Sequence, residues 1–192
     1  MAVETVAHEM VNGVNVAQLF DTVNAIKINP KLAQFTFRAA TEWQGGGRSR
    51  TRIQSFYGAG KEDDSRKEPF YLEGDEPPVL LGQNRGANAV ETLLAALASC
   101  LAVGVAYNAA AQGIKIEKLE FDLEGGVDLH GFLGLSEKVR PGYQNIQLNC
   151  RIKSDAPREK LEALFEYVKK TSPVLDIIRN PVPVTLEMES AD

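Results

Sequence analysis

The sequence predicts an α+β fold, an antiparallel sheet packed against helices, on three observations. Two pairs of segments alternate apolar and polar residues at every second position. Two segments repeat apolar residues at helical spacing, and between the strand pairs runs a long stretch without a single charge. Strands and helices that interleave in this way build mixed layers around one core. A chain of 192 residues with 44% hydrophobic and 24% charged residues has enough apolar surface for that core.

The first element is a helix, because Val16, Leu19, Phe20, Val23 and Ile26 fall on one helical face, with Asn15 as N-cap and Pro30 as terminator. From Phe35 the period changes to two. Phe35, Phe37, Ala39, Thr41 and Trp43 share a strand face, Gly45 to Gly47 make a turn, and 48–57 returns as a second strand. On that return strand Arg48, Arg50 and Arg52 point the same way and form a basic stripe. Residues 58–87 carry charges, glycines and a Pro-Pro pair with little periodicity, which reads as a long loop, either functional or simply solvated.

Asn88 caps a long helix over about 89–112, and Gly113 ends it. Leu119, Phe121 and Leu123 then alternate with charged residues, and Ile146, Leu148, Cys150 and Ile152 repeat the alternation, giving two strands wet on one face. Asp155-Ala156-Pro157 opens a helix with Leu161, Leu164, Phe165 and Val168 as its buried stripe. Ser172-Pro173 interrupts it, a short helical piece runs through Val174, Ile177 and Ile178, and Val182, Val184, Leu186 and Met188 form a last strand.

The formal net charge of -5 argues against nucleic acid as a partner. Two cysteines cannot form a disulfide scaffold, and the start MAVETVAHEM has neither the basic segment nor the apolar run of a secretory signal, so a reducing cytoplasm is expected. Thr92 to Ile114 carries no charge, yet it is rich in alanine and includes Ser99, Gly104, Asn108 and Gln112, which suits a helix enclosed by protein better than a membrane span. Such a helix needs cover on all sides. The expectation is an oligomer, a dimer in the simplest case, with the partner supplying the rest of the cover.

The candidate chemistry is narrow. His8 and His130 are far apart and have no Cys or His at ligand spacing, so neither a metal site nor a cofactor is expected. The glycine run lacks the Lys-Ser/Thr ending and the helix of a phosphate loop. Cys150 sits between Leu148 and Ile152 on an apolar strand face, where a thiol acts as a small hydrophobe. Cys100 lies in the enclosed helix and by position alone is also packing; a guanidinium from the arginine stripe beside it would instead favour the reactive thiolate.

The segment Gly86-Ala87-Asn88-Ala89-Val90-Glu91-Thr92-Leu93-Leu94-Ala95-Ala96-Leu97-Ala98-Ser99-Cys100 resembles the peroxidatic-cysteine helix of the OsmC/Ohr family, the osmotically inducible and organic hydroperoxide resistance proteins. Ser172-Pro173 through Arg179-Asn180 and Val184-Thr185-Leu186 is similar to that family's second-cysteine segment, and the Trp43-to-Ile53 hairpin to its N-terminal sheet. The resemblance spans roughly residues 35–189 and divides the chain into a helical extension, 1–34, and an OsmC-like domain, 35–192.

The resemblance implies an intertwined homodimer with antiparallel sheets around long central helices. It implies a cysteine that attacks the O–O bond of an organic hydroperoxide, with Cys100 as nucleophile and Arg48 or Arg50 as the cation beside it. Two departures matter. Ser172 replaces the second cysteine, so an external thiol must regenerate Cys100. Val90 stands where hydroperoxide-resistance members carry an acid, and Glu91 is one step away, about 100° around the helix. Glu91 and Ser172 are therefore auxiliary candidates. The rival reading is a non-catalytic dimer that binds a small hydrophobic ligand or senses redox state.

Overall fold

The computed structural model describes residues 9–190, which leaves His8 outside the described residues. The chain divides into two compact units, 1–95 and 96–192. In order, the first contains β1 (Met10–Val11), β2 (Val14–Asn15), α1 (Val16–Ile28), β3 (Thr36–Phe37), β4 (Ala40–Trp43), β5 (Ser49–Ile53), β6 (Phe56–Gly58), β7 (Lys61–Asp63) and β8 (Phe70–Gly74). Helix α2 (Ala89–Ala111) begins there and continues into the second unit, followed by β9 (Ile116–Val127), α3 (Leu129–Phe132), β10 (Tyr143–Ser154), α4 (Arg158–Thr171) and α5 (Pro173–Arg179). The class is α+β with every strand ladder antiparallel, as expected.

In the first unit Asn15 caps α1, its side-chain oxygen accepting from the Gln18 N–H at 3.0 Å. No residue of α1 is buried, and Phe20 of its apolar stripe remains 47% exposed. Two three-stranded sheets follow, ordered β3-β6-β7 and β4-β5-β8. The expected strands at 35–43 and 48–57 are each broken in two, and the stretch read as loop, 58–87, holds β7 and β8. The period-two signal failed there because Lys61, Glu62 and Asp63 are all polar, and Phe70, Tyr71 and Leu72 do not alternate.

A loop after β8 is organised by Asp75, which is buried at 2% exposure. Its carboxylate accepts from the backbone N–H groups of Glu76 at 2.8 Å, Gln83 at 3.1 Å and Arg85 at 3.1 Å. Burial alone would push this carboxyl up; the N–H groups of Arg85, Glu76 and Gln83 together with the charge of Arg48 outweigh it and hold Asp75 below its ordinary value.

In the second unit β9 and β10 form one long ribbon in which Leu119 faces Ile152, Phe121 faces Cys150 and Leu123 faces Leu148. Of these, Leu119, Phe121, Leu123, Leu148 and Ile152 pack against a core of Leu97, Leu101, Val105 and Ala109 from α2, Ile114, and Leu164 and Val168 from α4. The spacing of four along α2 places its contributors on one stripe. Fully burying residues such as Leu101, Val105 and Val168 contributes about 1.5–3 kcal/mol each. Gly113, at φ +68°, ends α2 in the left-handed conformation that favours glycine.

One expectation is corrected here. Residues 181–190 join no ladder, and Val184, Leu186 and Met188 are 73%, 90% and 93% exposed. Their alternation looks like a strand, but Pro181 and Pro183 have no N–H to give to a neighbour. Within this single chain the buried residues of helix α2 lie on one stripe, and Leu93, Val103 and Tyr107 are 38%, 51% and 50% exposed. By length and composition alone it is apolar enough to cross a membrane.

Candidate functional site

Asn88 and Glu91 start the helix that carries the candidate nucleophile. The Asn88 side-chain oxygen accepts from the Glu91 N–H at 2.8 Å, and the Glu91 carboxylate accepts from the Asn88 N–H at 2.9 Å. This reciprocal pair is a capping box, so Glu91 has a structural task at the helix start. The Asn-x-x-Glu spacing in the sequence carried that signal.

Cys100 is half-buried on α2 at the wall of a cleft of about 600 Å³. Val103, Gly104 and Tyr107 continue the same wall, since residues three, four and seven positions on share a helical face. Val168, Thr171 and Pro173 close the other side. All the residues lining the cleft are neutral, and most of the surface they present is apolar. Tyr107 and the two-helix wall went unread in the sequence, although their offsets from Cys100 and from Ser172 place them there.

The structure brings Cys100 and Ser172 together. Sγ and Oγ are 3.3 Å apart across 72 positions of sequence. Ser172 sits at the junction of α4 and α5 and serves both helices: its N–H donates to the Val168 carbonyl at 2.9 Å, and its hydroxyl oxygen accepts from the Leu175 N–H at 3.3 Å. Pro173 follows at the first helical position, where its missing N–H costs nothing. The residue is 5% exposed.

Arg48 and Arg50 belong to the first unit, Cys100 and Ser172 to the second. Arg48 closes the turn before β5, its N–H donating to the Gly45 carbonyl at 3.1 Å, and its charge acts on Asp75. Arg50 lies on β5, with Nε 3.1 Å from a Glu73 carboxylate oxygen and its guanidinium 3.8 Å from the Tyr71 ring centre. Arg52 donates to the Gln54 side chain at 3.1 Å.

Cys150 has different company. It faces Phe121 across the ribbon and a cavity of about 360 Å³ whose charged residues, Arg158 and Glu162, pair with each other at 2.7 Å. Burial pushes its thiol up, which disfavours the thiolate. Among the described residues no group of three or more His, Cys, Asp and Glu is arranged to hold a metal.

Comparison with known proteins agrees with this geometry at the level of fold. The structure is similar to an OsmC-like protein from Mycoplasma pneumoniae, with TM-score 0.59 and 16% identity over 76% of this chain and 89% of that one. It is similar to an organic hydroperoxide resistance protein OsmC from Legionella pneumophila, with TM-score 0.53 and 19% identity over 77% and 91%. A third similarity is to an organic hydroperoxide resistance protein from Elizabethkingia anophelis, with TM-score 0.53 and 18% identity over 78% and 91%. No curated protein matches the chain. The model of the OsmC-like protein family matches residues 82–187, which take in α2 with Cys100, the β9–β10 ribbon and the Ser172 junction; the chain belongs to the OsmC-like family.

Proposed function

We propose that this protein reduces organic hydroperoxides with Cys100 as its single peroxidatic cysteine. The Cys100 thiolate attacks one peroxide oxygen, the O–O bond breaks, and the alkoxide takes a proton and leaves as an alcohol, so that sulfur is oxidised to sulfenic acid as the peroxide is reduced. A thiol from solution condenses with the sulfenic acid, releasing water and leaving a mixed disulfide; a second thiol displaces Cys100 and is itself oxidised to a disulfide. The observation that carries the reading is a half-buried cysteine opening on an apolar, charge-free cleft of about 600 Å³, with a hydroxyl at 3.3 Å. The neutral lining suits an uncharged alkyl or aryl hydroperoxide. The resemblance makes Arg48 and Arg50 the candidates for the cation that stabilises the departing oxygen, and alanine substitution at each identifies the one the reaction needs.

The working form is a homodimer, because the uncovered stripe of α2 and the exposed apolar residues of 182–188 both call for a second copy. A reducing compartment such as the cytoplasm keeps both cysteines as thiols and supplies the external thiol.

Consumption of cumene hydroperoxide in the presence of dithiothreitol tests the activity, with trapping of sulfenic acid at Cys100 read by mass spectrometry. Cys100→Ser should abolish both signals; unchanged consumption in that variant rejects the assignment. The rival reading, a non-catalytic dimer that binds a small hydrophobic molecule or senses redox state, is favoured by Val90 at the acid position and by the missing second thiol. It prevails if the wild-type chain consumes no peroxide above the thiol alone while an apolar fluorophore binds the cleft.

A further inference from the structure

We infer that Ser172 is a positioning residue for Cys100, its hydroxyl aimed at the sulfur by the junction of α4 and α5 and donating to it whenever the thiolate forms. A serine hydroxyl has one hydrogen to donate and two lone pairs to accept with. The Leu175 N–H fills one lone pair at 3.3 Å, and the Ser172 backbone is fixed by its own N–H on the Val168 carbonyl at 2.9 Å and by the Asp176 N–H on its carbonyl at 3.0 Å. With Ser172 5% exposed, water has little access to the hydroxyl hydrogen, and Cys100 Sγ at 3.3 Å is the partner it has.

Either atom can donate while Cys100 is a thiol. Once the proton leaves, sulfur can only accept, so the hydroxyl must turn its hydrogen to it, and a bond to a charged acceptor is stronger than the one it replaces. The same residue contributes no thiol, so it makes and breaks no covalent bond in the cycle. The inference rests on Cys100 being the nucleophile of the proposed reaction.

The test is the rate of iodoacetamide alkylation of the Cys100 peptide against pH, measured by mass spectrometry on the full chain, for wild type and for Ser172→Ala, Ser172→Gly and Ser172→Thr. Glycine caps a helix nearly as well as serine, so Ser172→Gly removes the donor while sparing α5, and circular dichroism checks that each variant folds. Ser172→Ala and Ser172→Gly should move the midpoint of the rate curve up by about one pH unit, a tenfold smaller reactive fraction near neutral pH. At high pH, where every chain is thiolate, rates should stay within about twofold of wild type. Ser172→Thr, which keeps the hydroxyl, should keep the wild-type midpoint. An unmoved midpoint in folded Ser172→Gly, or a shifted one in Ser172→Thr, overturns the inference. No peroxide enters this experiment, so a wild-type chain that fails to consume peroxide while Ser172→Gly shifts the midpoint rejects the enzyme and leaves the positioning role standing.

Discussion

Replacing Gly104 by alanine should damage both the fold and the site, by an amount that follows from one close approach. A Cβ at Gly104 would stand 2.8 Å from Cγ1 of Val168, whereas carbon atoms rest at about 3.5–4.0 Å. Val168 is 1% exposed, and a valine in a helix has essentially one side-chain rotamer, so it cannot swing aside. The helices must part by roughly 1 Å, and overpacking of that kind costs about 1–3 kcal/mol. Alanine regains about 1 kcal/mol of helix propensity. The net expectation is a loss of up to about 2 kcal/mol in urea unfolding, with m unchanged. Because the Val168 carbonyl anchors the Ser172 N–H, the shift should also slow Cys100 alkylation. Adding Val168→Ala makes room for the new methyl, so the double variant should be more stable than the two single losses sum to, by about 1 kcal/mol. A Gly104→Ala chain that gains the propensity increment and keeps its Cys100 reactivity would refute the reasoning.

Leu101→Ala removes a side chain that is 1% exposed and should cost about 2–5 kcal/mol by calorimetry or denaturant, the upper end if the surrounding residues cannot close the cavity. Asn88→Ala breaks the capping box and should cost about 1 kcal/mol with Cys100 chemistry spared. Asp75 has a depressed folded-state value, so its stabilisation is complete above the unfolded value near pH 4 and is lost as pH falls through the folded one. Thermal unfolding followed from pH 6 to 2 should show that fall in wild type and a flatter profile in Asp75→Asn. For Cys150 the sign reverses: its folded value is raised, so the fold should lose stability above about pH 8.5, and Cys150→Ala should remove that alkaline loss.

Much of the second unit was legible in the sequence because its elements are long and strongly periodic. Asn88 and Gly113 mark α2, and the alternation of Leu119, Phe121 and Leu123 against Ile146, Leu148 and Cys150 gives a ribbon whose two apolar faces coincide. In the first unit the strands are two to five residues long, too short for periodicity to separate them from turns. Residues 182–188 show the opposite failure, a strand pattern whose prolines remove the donors that a ladder requires. At the site, Cys100 and Ser172 could be named from the sequence, while their meeting at 3.3 Å could not, since 72 positions separate them and only the packing of α4 on α2 closes the distance.

That packing also gives the two half-buried cysteines of one unit different surroundings. Cys150 projects from a strand whose neighbours across the ribbon and along it are hydrocarbon, so burial raises the cost of ionising it and nothing offsets the cost. Cys100 projects from a helix toward a place where another helix has just ended, and a helix end is where a fold must supply polar groups that point outward from a core. Ser172 meets that demand for α4 and α5 at once, and its remaining hydrogen falls to the sulfur. The residue whose N–H ends one helix and whose hydroxyl oxygen begins the next is then the same one that presents its hydroxyl to the Cys100 sulfur, so in the proposed reaction stability and reactivity share a residue. A substitution that keeps the cap and deletes the hydrogen separates the two contributions, which is why glycine at position 172 is more informative than alanine.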